Sequence, residues 1–310
     1  TAKSLTVSGI TASDKTYDGS VTATMDGTAA VYSGLVSGDT FNGSYTGVFS
    51  DANVGTGKTV TITPSYSGAD VNNYSVTDQS TTTADISAKA LTATASASNK
   101  TYDGGTTAST TLTFTGLVGS ETLGQTVGST FDNKNVGTGK TVTVNSITLS
   151  DGSGLASNYS ISAGQTTTAD ITAKSLTVSG ITASNKTYDG STNATLDASL
   201  VAYSGLVDGD TFDGTYTGVF SDKNVGVGKT VTITPSYTGA DVSNYSVTDQ
   251  SSTTANITAK SLTVSGITAS NKTYDGSTNV NLTGVAVYSG LVSGDTFNGT
   301  YTGAFLSLIH

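Results

Sequence analysis

The pentapeptide Lys-Thr-Tyr-Asp-Gly occurs four times in this chain and sets its organisation. It returns roughly every 86 residues, and the sequence around it repeats with the same period. Its last three residues are Tyr17, Asp18 and Gly19; Tyr102, Asp103 and Gly104; Tyr188, Asp189 and Gly190; and Tyr274, Asp275 and Gly276. A recurring Ala-Lys pair marks the module boundaries, which we place at 3–88, 89–173, 174–259 and 260–305, the last module being truncated. The Asp-Gly pair of the motif predicts a turn, because Gly accepts positive φ and Asp can bond its own backbone. The fold must therefore be argued for one module and for the array.

Both ends of the chain are interpreted against this repeat. Thr1 and Ala2 match the residues that close an inner module, so we expect them to belong to a preceding one. Residues 306–310 stand where the repeat places the counterpart of residues 221–226 of module 3, but their sequence does not match it. We interpret them as a non-native tail. On this interpretation the chain is a fragment of a longer repetitive protein.

Composition excludes several classes of function. The net charge is −10 and there is no arginine, which is unfavourable for binding nucleic acid or anionic lipid. There is no cysteine, and the one histidine, His310, lies in the proposed tail. A nucleophile would have no obvious base to activate it, so we predict no enzyme activity. We also predict no membrane insertion, because no apolar stretch has the necessary length.

Alternating apolar and hydroxyl side chains indicate β-strands. Leu5 and Val7 alternate with Thr and Ser, as do Val60 and Ile62, whose side chains should face the core. Pro64 should end that second strand or mark a sheet edge. No segment has the length and pattern of a capped amphipathic helix. We predict an all-β tandem array of small β-sandwich, Ig-like modules, with a β-grasp-like module containing one short helix as the alternative.

An ordered set of motifs resembles a known family. Lys-Thr-Tyr-Asp-Gly is followed by Gly-Leu-Val, then by a segment such as 131–142, then by Asn158-Tyr159-Ser160 and Thr-Ala-Asp-Ile. This order is similar to the YDG repeat of bacterial filamentous-haemagglutinin-like surface adhesins and exoproteins. Module 2 departs from the pattern where Gly38–Phe41 of module 1 becomes 119–123.

The resemblance implies an extracellular or cell-surface stalk and carries no catalytic residues. We expect the modules to act as a spacer that extends a distal binding domain, with neighbouring repeats of the same chain as partners. The alternative is that each repeat weakly binds a host or matrix glycan or protein, and that the array adds avidity.

Two groups of residues are weighed as binding sites. Asp222 and Asn224 place oxygen ligands at alternate positions, as calcium loops do, but further carboxylates are missing, so a solvated turn is favoured and no cofactor is expected. Gly228-Lys229-Thr230 resembles the end of a phosphate-binding loop, yet a strand pattern follows it where a helix is required. A glycine-rich turn is the preferred interpretation.

Lysines and tyrosines offer two further possibilities. An intramolecular isopeptide bond would pair Lys58 or Lys140 with Asn73 or Asn158, although nothing in the spacing selects such a pair. The recurring tyrosines Tyr17, Tyr45, Tyr66 and Tyr74 could stack on sugars. Packing of the core is the favoured role for them.

Overall fold

The computed structural model describes residues 1–306, and short β-strands dominate it. Contacts divide the chain into two units. The first comprises Thr1–Lys100 and Gly105–Thr172, and the second comprises Thr101–Gly104 and the chain from Ala173 onward. The first unit thus holds module 1 and most of module 2, and the second holds modules 3 and 4. The proposed tail, apart from Leu306, lies outside the described residues.

The strands repeat from module to module. Module 1 contains β1 (Lys3–Ser8), β2 (Thr11–Ala12), β3 (Lys15–Thr16), β4 (Thr22–Ala23), β5 (Met25–Asp26), β6 (Val31–Ser33), β7 (Asn42–Phe49), β8 (Gly55–Ser67), β9 (Tyr74–Thr77) and β10 (Thr81–Ser87). Module 2 contains β11 (Lys89–Ala90), β12 (Thr92–Ala97), β13 (Lys100–Thr101), β14 (Thr107–Ala108), β15 (Thr110–Thr115), β16 (Leu123–Phe131), β17 (Gly137–Asp151), β18 (Tyr159–Ser160) and β19 (Thr166–Thr172).

Modules 3 and 4 follow the same order. Module 3 contains β20 (Lys174–Ser179), β21 (Thr182–Ala183), β22 (Lys186–Thr187), β23 (Asn193–Ala194), β24 (Leu196–Asp197), β25 (Ala202–Ser204), β26 (Asp213–Phe220), β27 (Gly226–Thr238), β28 (Tyr245–Thr248) and β29 (Ser252–Thr258). Module 4 contains β30 (Thr263–Ser265), β31 (Thr268–Ala269), β32 (Leu282–Thr283) and β33 (Val287–Ser289). Three 3-10 turns, Val71–Asn73, Ala156–Asn158 and Val242–Asn244, precede β9, β18 and β28.

Module 1 is built from two main sheets. The larger has the strand order β3-β10-β8-β7-β4, and the smaller has the order β6-β1-β9, with β1 and β9 parallel. Val60 and Ile62 of β8 are buried while the threonines between them are exposed, which confirms the predicted strand phase. Val7 and Ile10, on and just after β1, pack against Ile62, so the two sheets enclose a thin core.

Pro64 lies inside β8, not at its end. The strand continues to Ser67, and Pro64 is opposite Tyr45 of β7. On its other side, β8 pairs with β10 only as far as Thr61. The missing N–H of the proline therefore faces an unpaired stretch, and the predicted sheet edge is found where Pro64 stands.

Module 2 keeps the larger sheet and changes the smaller one. Strands β14, β16, β17 and β19 follow the order of their counterparts in module 1. However, β12 pairs with β15 along its whole length from Thr92 to Ala97, and β11 pairs with β18 over two residues only. The parallel ladder between β1 and β9 in module 1 covers four residues, from Lys3 to Thr6.

In the second unit, module 3 repeats the sheets of module 1. Its larger sheet has the order β22-β29-β27-β26-β23, and the smaller has the order β25-β20-β28. Module 4 forms two hairpin-like pairs, β30 with β33 and β31 with β32. Among residues 1–306 there is no α-helix, so the helix of the β-grasp alternative is not found. In the same part of the chain, no helix is long and apolar enough to cross a membrane.

Candidate functional site: the joint between modules

The Lys-Thr-Tyr-Asp-Gly segment folds into a locked turn. Lys15 Nζ donates to Asp18 Oδ1 at 2.7 Å and to the carbonyl oxygen of Ser20 at 2.7 Å. The Asp18 carboxylate also accepts the backbone N–H of Ser20 at 2.8 Å, and Gly19 has φ +76°. The Lys15 ammonium lies 5.5 Å from the centroid of the Phe49 ring, which fixes the turn against the larger sheet.

The other copies of the motif have the same backbone. Gly104, Gly190 and Gly276 have φ of 81°, 79° and 74°, values that L side chains rarely adopt, so the predicted turn is confirmed in all four modules. The lysine hydrogen bond, aided by backbone N–H donation, lowers the pKa of Asp189 and Asp275 to about 2. The turns of modules 1, 3 and 4 therefore each carry an aspartate that forms an ion pair with the lysine of the motif.

The tyrosine of this turn leaves its own module and contacts the next one. Tyr17 is 5 % exposed, and its hydroxyl donates to Glu121 Oε1 at 2.7 Å. Tyr159 of module 2 donates to Glu121 Oε2 at 2.6 Å, and the two phenol rings meet edge to face with centroids 5.4 Å apart. One carboxylate thus receives a phenol from each module. We call this arrangement of Tyr17, Glu121 and Tyr159 the joint.

Electrostatics keep both phenols protonated. The hydrogen bond to Glu121, with burial and the nearby negative charge, raises the pKa of Tyr17 to about 12. Burial, followed by the hydrogen bond to Glu121, raises the pKa of Tyr159. Hydrogen bonds from neutral hydroxyls to a carboxylate are short and strong compared with neutral pairs. The joint is therefore held by two hydrogen bonds that protonated phenols donate to one carboxylate.

An asparagine makes a second connection across the same boundary. Asn158 is 1 % exposed; its Oδ1 accepts the backbone N–H of Val54 at 2.9 Å, and its Nδ2 donates to Asn53 Oδ1 at 2.9 Å. Residues Asn53 and Val54 lie in the turn before β8 of module 1. A buried amide with both ends satisfied by the neighbouring module fixes the orientation of that contact.

Apolar side chains close the space around these polar bonds. Tyr17, Phe49 and Val60 of module 1 form one buried cluster with Leu91 and Tyr159 of module 2. A Cβ added at Gly19 would lie 2.9 Å from Val118 Cγ1, so the glycine also permits close approach of the next module. The core of module 1 is thus continuous with that of module 2.

The second unit contains the same chemistry. Tyr102, in the segment Thr101–Gly104, donates to Asp210 Oδ2 at 2.8 Å, and Tyr245 donates to the same oxygen at 2.6 Å. Their rings are 5.6 Å apart and edge to face. Tyr188 donates to Asp295 Oδ1 at 3.1 Å. A carboxylate that accepts a YDG tyrosine is therefore a recurring feature.

Module 1 presents the receiving half of such a joint. Tyr74 donates to Asp39 Oδ2 at 2.5 Å, and Val36 N–H donates to the Tyr74 hydroxyl at 2.9 Å. The matching bonds in module 2 are those of Tyr159 with Glu121 and Val118, the latter also at 2.9 Å. The receiving geometry is therefore built within a module and does not depend on the arriving tyrosine.

The residues weighed for calcium form an ordinary ion-paired turn. Asp222 Oδ1 accepts the backbone N–H of Asn224 at 2.8 Å and lies 2.6 Å from Lys229 Nζ. The lysine supplies the positive charge that a cation would bring, and it lowers the pKa of Asp222. Across residues 1–306, no cluster of three or more His, Cys, Asp or Glu side chains is arranged to hold a metal ion.

The lysines considered for isopeptide bonds are paired with aspartates and not with the candidate asparagines. Lys58 Nζ is 2.7 Å from Asp51, and Lys140 Nζ is 2.9 Å from Asp132, whereas Asn158 serves the joint. Gly228 and Lys229 lie inside β27, which continues to Thr238. A phosphate-binding loop would instead be followed by a helix.

The tyrosines considered as a sugar platform are used inside the module. Tyr45 pairs its hydroxyl with that of Tyr32 at 2.9 Å, and Tyr66 donates to Asp78 at 2.5 Å. The Tyr66 ring also packs against Phe41 with centroids 4.9 Å apart. Their rings and hydroxyls thus stabilise the core, as the favoured interpretation held.

Sequence reasoning missed Glu121 as a site residue. Its segment was noticed as the place where module 2 departs from the repeat, yet the carboxylate stands three residues after Val118, as Asp39 stands three residues after Val36. That spacing is the signal that would have identified it. Its partner Tyr17 is 104 residues away in the chain, so local pattern could not link the two.

These features define a class of tandem all-β modules joined through tyrosine and carboxylate. The model of the YDG domain matches four successive stretches, residues 1–84, 87–169, 172–255 and 258–308, so the chain belongs to the YDG-domain family. The four matches agree in number with the predicted modules and begin two residues before each of them. No curated protein matches the chain.

Proposed function

We propose that this chain is a structural segment of a secreted or surface-anchored bacterial adhesin, in which the repeats form a stalk that extends a distal binding domain. The observation that carries the proposal is the joint. Module 1 is connected to module 2 by the hydrogen bond from Tyr17 to Glu121, a buried asparagine and a continuous apolar cluster. Only Ala88 separates β10 from β11, so the covalent connection is also short. Such a connection restricts hinge motion, as a spacer requires.

Composition supports an extracellular location for the stalk. The chain has no cysteine to be oxidised, and its charge of −10 keeps similar neighbouring modules soluble. In this role the chain acts mechanically, with no catalytic step, and the number of modules sets the reach.

The proposal is tested by varying the length of the stalk on the surface of cells. One, two or three copies of the chain are placed between a surface anchor and a reporter binding domain, and cells covered by a polymer layer are offered beads coated with the reporter's ligand. Bead capture should rise with copy number, and the array without the reporter domain should capture none. Capture of glycan-coated or host-cell surfaces by the array alone, rising with module number, would instead support the alternative that each repeat is a weak binding module.

A further inference from the structure

Module 2 contains a groove of about 490 Å³ between β12 and the segment 160–165. Leu91, Ala93 and Ile161 supply its apolar lining, and Gln165 contributes an amide. No charged residue lines it. The groove lies where the parallel ladder of module 2 stops, because the last bond between the two segments is from Leu91 N–H to the carbonyl oxygen of Ser160, at 2.8 Å.

The sister modules explain why this space is open. In module 1 the amide of Gln79 accepts the N–H of Ile10 at 2.9 Å and donates to the carbonyl of Ile10 at 2.7 Å. Gln250 and Ile181 make the same pair of bonds in module 3, at 2.9 and 2.7 Å. These bonds close that end of the smaller sheet.

Module 2 lacks the residues that close this end of the smaller sheet in modules 1 and 3. The stretch 91–100 is one residue shorter than 5–15, because Gly9 has no counterpart. Ala93 occupies the place of Val7, and Gly164 occupies the place of Gln79. A Cβ at Gly164 would meet no atom within 4 Å, so this wall of the groove is open. Smaller side chains and a missing pair of backbone bonds thus create the groove together.

Two sets of polar groups in the groove lack partners. The Oε1 atom of Gln165 is buried with no hydrogen-bond partner, while its Nε2 donates to the carbonyl of Ser162 at 2.8 Å. Strand β12 pairs with β15 along one edge. Its other edge pairs with no strand in the described chain. In module 1 the ladder between β1 and β9 reaches as far as Thr6, the counterpart of Thr92. Buried acceptors and open strand edges both favour an added hydrogen-bonding partner.

We propose that module 2 binds an extended peptide in this groove, adding it as a strand beside β12. Its backbone pairs with the free edge of β12, one N–H donates to Gln165 Oε1, and small or aliphatic side chains contact Leu91, Ala93 and Ile161. Charged side chains are disfavoured in the groove because its lining offers them no counter-charge. This binding activity is independent of the stalk and would make module 2 a ligand-carrying repeat among structural ones.

The test uses the whole chain and a labelled, end-blocked peptide Tyr-Ser-Val-Thr, which carries no charge. This is the sequence of residues 74–77, which pair with β1 in module 1. Fluorescence anisotropy should show saturable binding. Ala93→Phe, which fills the groove, should weaken it by at least about tenfold, and Gln165→Leu should also weaken it. Ser80→Ala is the matched control, because Ser80 holds the place of Gln165 in module 1, and it should change nothing.

Thermal melts establish that each variant is folded. If Ala93→Phe does not fold, Ala93→Val, which restores the residue of modules 1 and 3, takes its place and should also reduce binding. The proposal is overturned if the peptide shows no saturable binding at millimolar concentration, or if folded groove-filling variants bind it unchanged. Displacement of the peptide by a neutral oligosaccharide at lower concentration would assign the groove to glycan and overturn the peptide proposal as well.

Discussion

Replacing Tyr17 by phenylalanine removes one phenol from the joint and leaves its ring in place. The lost bond is a 2.7 Å contact with a carboxylate, and hydrogen bonds to charged groups contribute roughly 1.5–3 kcal/mol. In this variant Glu121 Oε1 loses its phenol partner, whereas Oε2 keeps its hydrogen bond from Tyr159. We therefore expect the contact between modules 1 and 2 to lose about 1–2 kcal/mol.

Amide hydrogen exchange at Val54 measures this loss at the joint itself. The N–H of Val54 donates across the boundary to Asn158 Oδ1 at 2.9 Å, so it exchanges when the joint opens. A loss of 1–2 kcal/mol should accelerate its exchange about 5- to 30-fold. The amide of Ile62, bonded to Ser80 within module 1 at 2.9 Å, should keep its rate.

Tyr274→Phe is the matched control, because Tyr274 stands in the same motif with a side chain that is 93 % exposed. It should leave exchange at Val54 unchanged. An unchanged exchange rate of the Val54 amide in Tyr17→Phe would refute the claim that Tyr17 stabilises the contact between modules 1 and 2. Equal acceleration at Val54 and Ile62 would show instead that Tyr17 stabilises its own module.

Three further outcomes are expected. Ile62→Ala should reduce the free energy of unfolding by about 2–4 kcal/mol in urea, whereas Thr61→Ala on the exposed face should change it by less than about 0.5 kcal/mol; equal losses would contradict the strand phase. The pKa of Asp189 is depressed, so its stabilising contribution is present above the unfolded value near 3.8 and is lost as pH falls toward 2. Melting temperature followed from pH 5 to 2 should therefore fall less in Asp189→Asn, and an identical fall in both proteins would argue against this contribution. Because Lys229 already neutralises Asp222, chelator and added calcium should both leave the melting curve unchanged, and a calcium-dependent rise would restore the metal hypothesis.

Strand phase and turn chemistry were accessible from the sequence because they depend on neighbours in the chain. Alternation placed Val60 and Ile62 in the core, and Asp18-Gly19 identified a turn that the structure contains. The glycine-rich turn preferred for Gly228-Lys229-Thr230 was wrong, because β27 already begins at Gly226. A β-bulge in the pairing of β27 with β29 accommodates the glycines there.

The joint was not accessible in the same way. Burial of Tyr17 was expected, but its partners belong to another module, and a single sequence does not connect residues so far apart. Glu121 also differed in type from Asp39 and was taken for a departure, although a longer acid satisfies the same bond. The groove of module 2 escaped notice because it results from missing atoms at Ala93 and Gly164, which no motif marks.

The central claim is that modules 1 and 2 are held in one fixed arrangement by their joint. The chain has no native cysteine, so Thr63→Cys and Thr148→Cys, on exposed positions of β8 and β17, allow two spin labels to be attached cleanly. Pulsed electron paramagnetic resonance should give one narrow distance distribution, and adding Tyr17→Ala should broaden it. A broad distribution in the chain with Tyr17 intact would show a flexible connection and contradict the claim.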